Sequence, residues 1–195
     1  MRIEIPVWKR WIFGNKTLFI KGFIMLADTQ TLEGITSRVS DDPREHIHII
    51  LWDLEKKDGS LTLDEIIEKL GIIKAEFQLG DIYVVSDAED SFRAWCFSKR
   101  TFMEYNHILV HTYLLGILDF GFYIWTVRRT AGTLRINNKE GRPPQEVVAY
   151  LKGYEETEIP ESMVHVAYDT GSEKKGMEIK GWMSFLKRLN DSKRG

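Results

Sequence analysis

Two pairs of side chains suited to metal chemistry sit in one short stretch, His46-Ile-His-Ile-Ile-Leu-Trp-Asp-Leu-Glu55. The apolar, β-branched run predicts a strand, and a strand turns successive side chains to opposite faces. Ile47, Ile49, Leu51, Asp53 and Glu55 then share one face, and His46, His48, Ile50 and Trp52 share the other. Asp53 and Glu55 close the strand with an Asp-x-Glu pair, hard oxygen donors suited to Mg2+ or Mn2+. His46 and His48 open it with a His-x-His pair, imidazole donors for a divalent metal. The pairs point in opposite directions, so one site uses one of them. The bland alternative for each is a solvated side chain at a strand end.

Each pair has candidate helpers further along. Asp119, at the start of a strand predicted over Leu118–Val127, is the natural third acid. Three such acids can hold two metals for phosphoryl or nucleotidyl transfer. Residues 125–142 carry Arg128, Arg129, Arg135, Lys139 and Arg142 against one acid, Glu140, with Trp125 and neighbouring Tyr123 interleaved. That pattern fits a nucleic-acid backbone or a triphosphate, and the alternative is a solvated edge strand. On the histidine side, Tyr150 and Tyr154 flank Lys152 on a helix predicted to begin at Pro143-Pro144. A tyrosinate there could attack a phosphate that the metal polarises. His107 and His111 have a zinc-ligand spacing on an apolar helix, where packing is the competing role. Cys96, between Trp95 and Phe97, reads as a buried, inert thiol.

The elements that position these groups follow from periodicity and punctuation. Residues 3–12 and 17–27 predict an N-terminal hairpin around a Gly-Asn turn, with Pro6 marking an edge or strand start. Trp8 and Trp11 on that early strand could cover a sheet edge or mediate self-association. Residues 28–45 are a polar loop with room for a short strand. Thr62-x-x-Glu65 is a capping box before Leu63, Ile66, Ile67 and Leu70, a helix ended by Gly71. Strands follow at 81–86 and 91–97 around a turn at Asp87–Asp90. A second capping box, Thr101-x-x-Glu104, opens a helix over 101–115. Strands are expected at 118–127 and 132–136, then a helix bearing Val147, Val148 and Leu151. An acidic linker at 155–162, a strand at 164–168 and a basic tail helix complete the chain. Trp182, Phe185, Leu186 and Leu189 give that last helix its apolar face, opposite Lys180, Lys187 and Arg188. It is expected to dock on the core or on a second subunit.

This order predicts an α+β class, a mostly antiparallel central sheet with helices packed on it. One domain over 1–195 is expected, with a core at 46–142, an N-terminal hairpin and a C-terminal extension at 155–195. At 195 residues, 43% hydrophobic and 29% charged, the chain can bury a proper core. Its net charge of −2 means that any nucleic acid must be held by a local patch. A single cysteine fits a reducing cytoplasm, and no apolar run reaches the roughly 18 residues that span a bilayer. The Met1–Pro6 start does not read as a signal peptide, and the Glu/Lys-rich surface is compatible with a thermophile.

In its order of motifs the chain resembles the archaeo-eukaryotic primase (primase-polymerase) superfamily. Asp53-x-Glu55, a helix, a hairpin carrying Ser91-Phe-Arg93, a second helix, Asp119 and the basic stretch Arg128–Lys139 follow the family's sequence of motifs. The resemblance covers 46–142 and implies an RRM-like, primase-like core. It also implies Asp53, Glu55 and Asp119 as ligands of Mg2+ or Mn2+, Ser91 on an incoming nucleotide, and single-stranded DNA as substrate. Arg93 stands where the family has a histidine. Arginine can grip phosphate bidentately, and the change leaves open a DNA-binding relative without synthesis. An RNase H-like nuclease needs similar strand-borne acids. His46-Ile-His48 with Tyr150 and Tyr154 is instead similar to the rolling-circle replication initiators.

Overall fold

A computed structural model describes residues 2–3, 8–13, 16–21, 24–28, 32–39, 46–56, 59–88, 91–136, 145–157, 165–169, 172–175, 187–189 and 191–192. The N-terminal strands are β1 (Arg2–Ile3), β2 (Trp8–Phe13), β3 (Lys16–Lys21), β4 (Ile24–Asp28) and β5 (Leu32–Thr36). The central part holds β6 (Ile47–Leu54), α1 (Leu63–Glu76), β7 (Ile82–Ala88), β8 (Ser91–Thr101), α2 (Phe102–Leu114) and α3 (Phe120–Arg129). It is followed by β9 (Thr133–Arg135), β10 (Glu146–Leu151), β11 (His165–Asp169) and β12 (Ser172–Lys175). The protein is α+β, and every strand pair described is antiparallel. Three sheets result, ordered β1-β4-β3-β2, β10-β7-β8-β6 and β12-β11-β5-β9.

The middle sheet carries the core. β6 and β7 both run antiparallel to β8, which lies between them, so β6-α1-β7 is a split β-α-β unit. Ile49, Ile50, Leu51 and Trp52 are fully buried, as expected of the strongest strand signal in the sequence. Trp52 Nε1 donates to Thr112 Oγ1 at 3.0 Å, and Tyr105 OH to the Leu51 carbonyl at 2.9 Å, which seats α2 on β6. β10 takes the β7 side of the sheet, leaving the other side of β6 without a full-length neighbour. Two short segments cover it. Residues 37–39 pair with the start of β6, through Ile49 N–H to Ser37 C=O at 2.7 Å and Val39 N–H to Ile47 C=O at 3.1 Å. Residues 117–119 pair with its end.

The structure departs from the expected elements in several places. The two N-terminal strands each divide, giving a four-stranded sheet in which β2, β3 and β4 follow one another, β1 lies beside β4, and β2, the strand of Trp8 and Trp11, is an edge. Helix α1 runs through Gly71 to Glu76, and Phe77 caps it with an N–H to Ile73 C=O at 3.0 Å. Burial of Ile66, Leu70 and Ile73 outweighs a glycine's helix penalty of about 1 kcal/mol. Where a strand is expected over 118–127, residues from Phe120 onward form the helix α3, and only Leu118 makes a β-bridge, to Leu54. Their alternating aromatic and β-branched residues imitate strand composition. Asp119, however, accepts the Phe122 N–H as N-cap, and Arg128 and Arg129 end the helix favourably. Residues 146–151 form the strand β10, not a helix, because Val147, Ala149 and Tyr150 pack against the core while pairing with β7. The hairpin β2–β3, the capping box at Thr101 and Glu104 with both reciprocal bonds, and β9 stand where expected. In the tail, residues 187–189 and 191–192 are helical and Leu189 is buried. Lys180, Trp182, Phe185 and Leu186 lie outside the described residues.

Because nothing lies within 4 Å of the Cβ position at Gly71, Gly71→Ala should stabilise the protein by about 0.5–1 kcal/mol. A thermal midpoint higher by about 1–4 °C would show it.

Candidate carboxylate site

The site forms at the C-terminal end of β6. Helix α2 stops in a Schellman turn: Gly116 is left-handed (φ 77°), its N–H bonds Tyr113 C=O at 2.9 Å, and Ile117 N–H reaches Thr112 C=O at 3.5 Å. A residue with a Cβ would be strained there. The turn sends Ile117–Asp119 back along β6. Glu55 N–H donates to Ile117 C=O at 3.1 Å and Asp119 N–H to Asp53 C=O at 3.0 Å. Buried Ile117 and Leu118 hold the segment in place. Asp119 therefore enters as the N-cap of α3, and all three expected acids meet although the element after Asp119 is a helix.

Their electrostatics show the crowding. The Glu55 pKa is raised first because the neighbouring Asp119 carboxyl can hydrogen-bond its protonated form, and lost hydration and repulsion from Asp119 and Asp53 add to it. Burial raises Asp53, with Asp119 and Asp87 pushing the same way against Arg93 and Arg135. Two carboxylates thus hold protons more tightly than their kind usually does.

Behind them lies a buried ion network. Arg93 is the direct cross-strand partner of Asp53, with Nε 3.9 Å from Oδ1. The Arg93 guanidinium also donates to Asp87 Oδ2 at 3.3 and 3.4 Å, and Arg135 Nη2 approaches the same oxygen at 3.9 Å. Asp87 and Arg93 are buried, so their desolvation must be offset by this pairing. Sequence reading placed Asp87 in a turn, but it belongs to β7 and its carboxylate is inaccessible to solvent. The signal was present, because Tyr83, Val85 and Asp87 alternate onto the face that pairs Val85 with Arg93. Ser91 begins β8, half-buried, two residues before Arg93 on the same face. Arg128 and Arg129 lie exposed at the far end of α3, and Lys139 and Arg142 lie outside the described residues.

The histidine alternative is not assembled. His46 is exposed, whereas His48 is buried against Phe102 and Tyr105, with Ser37 Oγ 2.9 Å from its Nδ1. Burial first, then Arg38 and His46, lower the His48 pKa to about 4. Tyr150 lies on the strand β10 with its ring 5.4 Å from Tyr83, and exposed Tyr154 sits beyond the strand under Lys74. Strands β7 and β8 separate β10 from β6, placing Tyr150 roughly 14 Å from the histidine strand. His107 and His111 meet edge to face, and His111 pairs with Glu76 at 3.1 Å. Cys96 is buried, and burial pushes its thiol up to about 11, consistent with an inert group. Among the described residues, no group of three or more His, Cys, Asp and Glu side chains is arranged to hold a metal, and no helix is long and apolar enough to cross a membrane.

No protein-family model, curated protein or solved structure matches the chain. The resemblance to the primase-polymerases rests on the motifs themselves.

Two pH effects follow. The folded His48 pKa lies below the ordinary value of about 6.5, so its contribution is complete above that pH and is lost as pH falls toward 4. The loss amounts to about 3 kcal/mol, and a urea midpoint followed against pH should flatten over that window in His48→Phe. Glu55 behaves oppositely. Its folded pKa is raised, so stability falls as pH climbs through and above the usual glutamate range. Glu55→Gln should therefore raise the thermal midpoint at pH 7 by on the order of 1–2 °C, with no gain near pH 4.

Proposed function

We propose that the chain is a divalent-metal-dependent protein that transfers nucleotidyl groups on single-stranded DNA in the manner of the primase-polymerases, working in the cytoplasm. The observation that carries this reading is the forced meeting of Asp53, Glu55 and Asp119 at one strand end, with raised proton affinity in two of them. Like-charged groups held together against repulsion mark functional sites more often than structural ones.

The donor set fits Mg2+ or Mn2+. Such ions take one or two protein carboxylates and complete their shell with water and substrate phosphate, without needing a protein cage. Glu55 and Asp119, already in contact, would hold the ion, with Asp53 beside them. A bound ion would neutralise charge developing on a transferring phosphoryl group. The chain's own residues do the rest. Arg93 and Arg135, fixed by Asp87, keep positive charge behind the acids and would offset the negative charge gathered in front of them. The Ser91 hydroxyl, on the same face as Arg93, would donate to a nucleotide phosphate.

A second reading has its own observation. Arg93 already sits against Asp53, partly satisfying a carboxylate that the resemblance assigns to metal. This favours a relative that binds single-stranded DNA without chemistry.

Labelled single-stranded DNA, Mn2+ and deoxynucleoside triphosphates test both. Extension of the strand, lost by at least about 100-fold in Asp53→Ala and in Glu55→Ala, is the expected result. Full activity in both variants would overturn the carboxylate site. Affinity without chemistry under any metal would establish the binding module.

A further inference from the structure

Helix α3 turns an apolar face outward. It buries Phe122 and Thr126, yet Phe120 is 56% exposed and Trp125 51% exposed, with Ile124 and Val127 also open to solvent. The end of α2 extends this face. The Tyr113 ring lies 5.6 Å from Phe120 and 6.2 Å from Tyr123, nearly parallel to the latter at 16°. At the other end of α3, the guanidiniums of Arg128 and Arg129 lie 5.0 and 4.9 Å from the Trp125 ring. Helix α3 contains no acid.

We propose that the exposed side of α3, with Tyr113, Phe120 and Tyr123 on one flank and Trp125 with Arg128 and Arg129 on the other, is a stacking surface that carries single-stranded DNA to the carboxylates. The direction toward the carboxylates rests on the function proposed above; the binding does not. Single strands offer flat bases for aromatic rings and phosphates for guanidinium edges, and both halves of that chemistry are here. Charge favours this occupant over a second copy of the chain. Helix α3 presents two arginines and no acid, so a strand's phosphates complement it, whereas the same helix of a second copy offers it no opposite charge. The geometry also suits a strand, since Phe120 follows Asp119 directly and Arg128 and Arg129 lie roughly 15 Å away along the helix axis.

Fluorescence anisotropy of a labelled fifteen-nucleotide poly-dT, in EDTA and in Mg2+, tests the platform, with Trp125 quenching as a second signal. Phe120→Ala with Trp125→Ala should weaken binding at least tenfold, while Phe120→Tyr with Trp125→Phe should restore most of it. Arg128→Gln with Arg129→Gln should lower the slope of log affinity against log salt by about 1.4. Circular dichroism checks that each variant folds. Unchanged affinity in the alanine pair overturns the platform, as does a wild-type chain that binds no poly-dT. Sedimentation showing a dimer that the alanine pair dissociates overturns it in favour of self-association. The two readings fail separately, since a wild-type chain that binds poly-dT through this surface but extends no strand under Mn2+ counts against the carboxylate reading alone.

Discussion

Two backbone hydrogen bonds, Asp119 N–H to Asp53 C=O and Glu55 N–H to Ile117 C=O, hold the candidate site together. Left to their side chains, three carboxylates would move apart, because water screens each charge better than its neighbours tolerate it. The backbone pairing removes that freedom. It rests in turn on the left-handed Gly116, which reverses the chain after α2, and on the burial of Ile117, Leu118 and Leu54. The repulsion is therefore a small opposing term set against apolar packing. It appears as raised proton affinity, not as a displaced backbone.

The position of β10 makes this arrangement available. With β10 beside β7, the edge of β6 is open to short segments instead of a full strand. Residues 37–39 take its first half, and Ser37 links it onward to Gly132 before β9. Residues 117–119 take its second half. One exposed edge thereby gathers β9, the N-terminus of α3 and the acids of β6 around one point. Arg135 then reaches Asp87 from a different sheet, joining the two sheets by charge as well as by packing.

Arg93 has the part of an internal counter-ion. It satisfies Asp87 from within and faces Asp53 on the open side. A buried arginine bonded this way is no strong source of net stability, since its desolvation opposes the pairing. It does fix the sign and position of charge behind the acids. The rim shows a related constraint at Thr130, a β-branched residue held left-handed (φ 53°) at the end of α3. Arg38 Nη2 donates to Arg129 C=O at 3.1 Å and to Thr130 Oγ1 at 3.2 Å, securing a conformation that threonine alone avoids.

Local rules sufficed for what local energies decide. The strand at 47–54, the Thr62 N-cap, the capping box at Thr101 and Glu104, the hairpin of β7 and β8, and the division of Asp53 and His48 onto opposite faces were legible in the residues. The expected box at Thr62 is only half made, because the Glu65 carboxylate turns to Lys56 and Lys69. The candidacy of Asp53, Glu55 and Asp119 was legible too, because carboxylates at strand ends carry their chemistry in their type and spacing. Tertiary structure decided the rest. Residues 118–127 and 146–151 exchanged their expected states, since aromatic and β-branched residues suit either element until a partner surface chooses. Asp87 became a buried counter-ion once β8 supplied Arg93. His48 became core because α2 covered its face. The meeting of the three acids depended on a long-range backbone pairing, which no spacing along the chain encodes.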